Sequence, residues 1–220
     1  MPSLVSLTAA KRGRSLVTAA LTVWFVLALV AGYVGALEGR PAPFVMAAIA
    51  VPTALCLLAV WKLFSVRTWV KHLSLRALVG FHAVRFVGIA FLVLHARGAL
   101  GDFALAAGWG DIFVAITALL LVVFVLPIDD RRDWWIVLGW NVFALADILY
   151  VVVTAARLGL ADIRLVAPIA AFPMSLLPTF LVPLMITTRV LIFWRLARTR
   201  RRLRRLSRSS TLAPISALRS

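Results

Sequence analysis

Residues 107–151 read AGWGDIFVAITALLLVVFVLPIDDRRDWWIVLGWNVFALADILYV, two apolar runs joined by a charged turn, with one aspartate in each run, Asp111 and Asp147. Each run reaches the length of about 20 residues that a helix needs to cross about 30 Å of hydrocarbon. The stretch therefore predicts a hairpin of two membrane-spanning helices. A carboxylate at that depth is costly, so each aspartate calls for a partner or a task.

The rest of the chain extends the same pattern. Of 220 residues, 63% are hydrophobic and 15% charged, and the mean hydropathy is +1.02. A soluble domain has about 25% charged residues. The chain predicts an all-α integral membrane bundle of six transmembrane helices over about 15–37, 44–64, 77–96, 107–126, 134–156 and 173–194. Pro52 is a tolerated kink in the second span, and the run 15–37 is too long for a signal peptide's apolar region of about 7–15 residues, so it is expected to stay as a helix. Residues 1–14 form a short basic arm, the connector 61–76 carries Lys62, Arg67, Lys71 and Arg76 with no acid, and 158–172 is an outer loop or interfacial segment.

The net charge of +16 is concentrated in particular loops. With both termini cytoplasmic, the inner segments hold eighteen Lys and Arg and the outer loops four, Arg40, Arg97, Arg157 and Arg164, while Arg85 and Arg189 fall inside spans. That asymmetry predicts a multi-pass protein of the bacterial inner membrane with both ends inside. The tail 195–220 contains nine arginines and no acid or aromatic residue. It fits an orientation lock that also touches anionic lipid head groups, rather than a nucleic-acid module, which stacks bases on aromatic rings. The lone cysteine, Cys56, excludes an intramolecular disulfide and a cysteine-cluster metal site.

Polar residues at membrane depth make the candidate pocket: His82, Arg85, Asp111, Asn141 and Asp147, with His95 and Arg189 secondary. At 1.5 Å per residue, Arg85 lies about 12 Å and Asp147 about 20 Å from the inner boundary, within reach of an extended arginine. Gly80-Phe-His82 parallels Gly139-Trp-Asn141, and aligning the two glycines puts Arg85 three residues below Asp147. A buried Arg85–Asp147 pair would keep both charged. His82 shares the face of Arg85, and Asp111 and His95 are expected to form a shallower pair near Trp109 at the outer mouth.

Pro173, Pro178 and Pro183 recur every five residues, beside Ser175 and Thr179. Each removes a donor and frees a carbonyl that needs water, a hydroxyl or a ligand, as in the broken helices that line transporter sites. Two sharper motifs are set aside. The turn Asp129-Asp130-Arg131-Arg132-Asp133 has diphosphate-enzyme spacing, but only once and with its acids neutralised by neighbours. His82 and His95 have the spacing of membrane cytochromes b, but the remaining histidine, His72, lies in the basic connector, so haem is disfavoured and the cofactor is left unassigned.

His82 with Arg85, Ala107-Gly-Trp-Gly-Asp111, Asn141 with Asp147, and Pro178-Thr-Phe-Leu-Val-Pro183 together resemble a group of small uncharacterised bacterial polytopic membrane proteins. The resemblance implies no activity. The residues themselves suggest binding or translocation of a small solute or ion in a polar pocket among helices three to six, with a homodimer expected as the assembly that enlarges so small a core. The alternatives are an intramembrane enzyme acting on a lipid or isoprenoid, with an aspartate as general acid, and a non-catalytic subunit of a larger complex.

Overall fold

The computed structural model describes residues 4–217, with side chains for 7–201. Among these residues all regular structure is helical. The chain runs through α1 (Leu4–Tyr33), α2 (Ala42–Lys62), α3 (Phe64–His72), α4 (Leu75–Gly80), a 3₁₀ segment (Phe81–Val87), α5 (Gly88–Ala96), α6 (Gly101–Phe124) and α7 (Arg131–Ala161). A second 3₁₀ turn (Ile163–Val166), α8 (Ala167–Ala170), a π turn (Leu177–Leu181) and α9 (Val182–Ala217) complete it. Among the described residues, six helical stretches are long and apolar enough to cross a membrane: Leu7–Tyr33, Ala42–Lys62, Leu75–Ala96, Gly101–Phe124, Arg131–Ala161 and Leu177–Arg201.

Local sequence explains the boundaries. Ser74 accepts a hydrogen bond from the amide of Ala77 at 3.0 Å and starts α4, and Asp130 accepts one from Asp133 at 2.8 Å and starts α7. The acidic turn is thus a helix cap, with Asp133 in turn accepting from the amide of Asp129 at 3.3 Å. α6 begins at Gly101, six residues before the expected start, because nothing between Gly101 and Ala107 breaks a helix. α1 likewise begins at Leu4, inside the expected basic arm. The reason is a tertiary contact: a Cβ at Gly13 would collide with the backbone carbonyl of Ser65, so glycine lets α1 lie directly on α3. α3, within the basic connector, turns Val66, Thr68 and Val70 inward.

The first two spans bury few residues, whereas the other four bury a third or more and form the inner bundle. One end, here the base, holds α3 and the start of α7. There Arg76 donates to the carbonyl of Leu126 at the end of α6, Arg195 donates to the carbonyl of Leu73, and Trp134 donates through Nε1 to the carbonyl of Leu196 at 2.8 Å. A continuous apolar cluster fills this half, including Val79, Val114, Ala118, Val137 and Ile192. At the opposite end, the cap, the buried cluster is smaller, built on Phe91, Ala104, Ala107, Met174 and Leu177. The helix of α9 continues through the arginine-rich tail to Ala217, and the side chains of 202–220 lie outside the described residues.

Candidate functional site

Between the two apolar clusters lies a layer of charged and polar side chains. Arg85 sits in the 3₁₀ segment, where three residues make one turn and residues three apart eclipse, so His82 and Arg85 point the same way about 6 Å apart along the axis. Arg85 is 1% exposed. Its Nε donates to Asp111 Oδ1 at 2.5 Å, its Nη2 contacts Asp111 Oδ1 and donates to Asp147 Oδ2, and its Nη1 donates to the carbonyl of Ala144 at 3.2 Å. One guanidinium is therefore held between two carboxylates on different helices.

Glycines make this approach possible. A Cβ at Gly88 would lie 2.6 Å from both Asp111 Cβ and the carbonyl oxygen of Gly108, and one at Gly108 would lie 2.8 Å from the carbonyl oxygen of Gly88. α5 and α6 thus meet backbone to backbone, as small residues permit in helix pairs without a hydrophobic driving force. A Cβ at Gly110 would collide with Asp147 Oδ1. In Ala107-Gly-Trp-Gly-Asp111, Gly108 admits α5, Gly110 admits Asp147, and Asp111 reaches Arg85.

A second set adjoins the first on the base side. Arg189, 1% exposed, donates through Nη1 to Asn141 Oδ1 at 3.3 Å, and Asn141 Nδ2 donates back to the carbonyl of Arg189 at 3.2 Å. The guanidinium of Arg189 lies 4.2 Å from the Trp140 ring centroid, a cation–π contact. His82 stands edge-on to Trp140 and has Nε2 3.2 Å from Thr188 Oγ1. The formal charges of Arg85 and Arg189 balance those of Asp111 and Asp147.

The first set, not the second, opens on a cavity of about 660 Å³. Arg85 and Asp111 lie at its floor. Its walls are apolar, from α2 (Val45, Ile49), α7 (Ile148, Val152, Ala155) and the π turn with α9 (Leu177, Met185). Its mouth at the cap end is formed by Glu38, Arg40 and Arg164 with the segment Ile163–Ala171. Among the described residues, no group of three or more His, Cys, Asp or Glu side chains is arranged to hold a metal ion.

Residues 41–197, which contain the whole of this site, match the family described as a domain of unknown function, DUF8737. The chain belongs to this family. No curated protein and no solved structure matches it. α1 lies outside the DUF8737 domain and packs on it from the side, through α3 and through Trp24.

Within the DUF8737 domain, Arg85, Asp111 and Asp147 come together, and His82, Asn141 and Arg189 adjoin them. The expected shallow pair of Asp111 with His95 does not form. α6 starts at Gly101, so Asp111 is ten residues, about 15 Å, into the helix and level with Arg85 rather than at the mouth. His95 instead places Nδ1 2.9 Å from the carbonyl of Gly101, closing the α5–α6 loop. Asn141 serves Arg189 and does not line the cavity.

The prolines are largely sealed by protein. Pro183 leaves the carbonyl of Thr179 without its usual helical donor, and Trp24 Nε1 of α1 donates to it at 2.9 Å. Thr179 Oγ1 donates to the carbonyl of Ser175 at 2.7 Å, and the amide of Val182 to that of Leu177 across the π turn. Pro178 contributes to the cavity wall, and Pro173 sits in the turn before the π segment. The participants that polarity alone did not single out are Gly88, Gly108, Gly110, Thr188, Trp140 and the carbonyl of Ala144. For the glycines, the signal is small residues near a charge: Gly88 three residues after Arg85, and Gly108 and Gly110 just before Asp111.

Proposed function

We propose that this chain is a multi-pass protein of the bacterial inner membrane, both termini cytoplasmic, that binds a small solute in the cap-side cavity. In that orientation the cavity mouth faces outward. The observation that carries the reading is the continuity of the cavity from Glu38, Arg40 and Arg164 down to Arg85 and Asp111. A volume of about 660 Å³ lies within the range of about 300–1,000 Å³ usual for small-molecule sites. Ionisable side chains at such depth are commonly tied to a ligand or pathway. Asp147 holds Arg85 from behind, so that the pair at the floor keeps one geometry. The arginine-rich tail fits contact with anionic head groups on the cytoplasmic face.

Translocation is a second reading, favoured by the 3₁₀ segment Phe81–Val87 interrupting the third span beside the floor. Tight winding inside a longer helix often marks a hinge.

The test is occupancy. Protein purified in mild detergent is expected to retain a small molecule visible by native mass spectrometry, and Ala155→Phe, which fills the cavity without touching the charged floor, is expected to expel it. Identical spectra of the wild-type chain and Ala155→Phe would count against the cavity as a binding site.

A further inference from the structure

The floor of the cavity is chemically one-sided. Arg85 has five N–H groups. Three donate hydrogen bonds, to Asp111 Oδ1, Asp147 Oδ2 and the carbonyl of Ala144, and Nη2 also lies 2.5 Å from Asp111 Oδ1. Asp111 accepts both of its contacts with Arg85 through Oδ1, and among the described residues its Oδ2 has no hydrogen-bond partner. That side chain is 10% exposed and lines the cavity. Arg85 with Asp111 and Asp147 sums to a formal charge of −1. Arg189 offsets it only from the far side, stacked on Trp140 and outside the cavity lining.

The mouth is weaker in its demands. Glu38, Arg40 and Arg164 are all exposed, and Arg40 already rests over the Phe44 ring at 5.4 Å. Charges in a buried setting, at an effective dielectric of about 20 rather than 80, interact roughly four times more strongly than at the surface. The floor therefore decides which polar end is taken, and the walls decide the rest. Val45, Ile49, Ile148 and Val152 offer no hydrogen bond to a hydrated ion or a sugar, but match an apolar body.

We propose that the cavity takes a lipophilic amine, a molecule with an apolar body and a protonated nitrogen that donates to the free carboxylate oxygen of Asp111. This rests on the cavity being a binding site, as argued above, and adds the class of ligand. A fatty acid would bring a second carboxylate against Asp111, and a neutral lipid would leave Oδ2 without a charged donor.

The experiment uses three probes that share one apolar body, phenylbutylamine, phenylbutanol and phenylbutyrate, titrated by calorimetry into the full chain in nanodiscs of zwitterionic lipid, with empty nanodiscs subtracted. The amine is expected to bind about tenfold tighter than the alcohol, the advantage of one charge-assisted hydrogen bond, and the carboxylate weakest. Asp111→Asn should erase the preference for the amine while the alcohol still binds, and Ala155→Phe should abolish binding of both. A second measurement leaves Asp111 intact: in a Cys56→Ser background, the amine should slow thiol labelling of Ala155→Cys and the carboxylate should not. Equal binding of all three probes, blocked by Ala155→Phe, would overturn the amine class and leave the cavity reading standing. Tightest binding of the carboxylate, or an amine preference that survives Asp111→Asn, would overturn the class as well. Binding of none of the probes would overturn both.

Discussion

At the base, Val79, Val114, Ala118, Val137 and Ile192 are fully buried in one apolar cluster, whereas at the cap the cluster around Phe91 and Leu177 is small and borders a cavity of about 660 Å³. The same helices, α6, α7 and α9, run through both halves. What differs is what lies between them. In the base, large apolar side chains fill the space between the helices, and Arg76, Arg195 and Trp134 donate to the carbonyls of Leu126, Leu73 and Leu196. In the cap, the prolines and the π turn hold α9 in an irregular path, and the 3₁₀ turn and α8 roof the gap. The polar layer is the seam: its base side is packed against Trp140, and its cap side is open. Packing without a hydrophobic driving force rewards closeness, so a persistent gap in such a bundle points to something that fills it.

Breaking the seam should have the largest effect. Arg85→Ala leaves Asp111 and Asp147 buried without their counter-charge, a loss of about 3–5 kcal/mol, and is expected to abolish the folded protein as judged by size-exclusion chromatography in detergent. Restoration by Arg85→Ala combined with Asp111→Asn and Asp147→Asn would show that the uncompensated charges, rather than lost packing, were responsible.

Paired isoleucine truncations sharpen the contrast between halves. Ile192→Ala opens a void in the base and should cost about 2 kcal/mol of stability, while Ile148→Ala enlarges a cavity that already exists and should cost under about 1 kcal/mol. Thermal unfolding of the two purified variants gives the comparison, and equal losses would mean that the cap is as tightly packed as the base. The smallest effect is expected at the proline seal. Trp24→Phe keeps the ring contact with Phe180, 4.9 Å between centroids, but leaves the Thr179 carbonyl without its donor, for a loss of about 1 kcal/mol in the same assay.

Much of this architecture is legible in the sequence because bilayer thickness and helical rise are fixed lengths. Runs of about 20 apolar residues locate the helices wherever prolines or charged turns stop them. Aligning Gly80 with Gly139 puts Arg85 three residues below Asp147, and Arg85 does donate to Asp147. The depth of Asp111 is not legible because no capping side chain marks the start of α6 at Gly101, and a shift of six residues is about 9 Å of depth. The cavity itself was not legible. Its walls are ordinary valines, isoleucines and alanines, which a sequence cannot distinguish from residues that pack. Nor were the glycines, since Gly88 and Gly108 are separated by a loop and matter only through the contact between them.

The account turns on the cap half being open from the outside while the base half is closed. The measurement that addresses this most directly is labelling of single cysteines in intact spheroplasts with a membrane-impermeant maleimide, in a Cys56→Ser background. Ala155→Cys, in the cavity wall, is expected to label rapidly, and Val137→Cys, fully buried in the base, to remain unlabelled until the protein is denatured. Failure of Ala155→Cys to label, or labelling of both positions at one rate, would contradict an outward-open cavity above a sealed base.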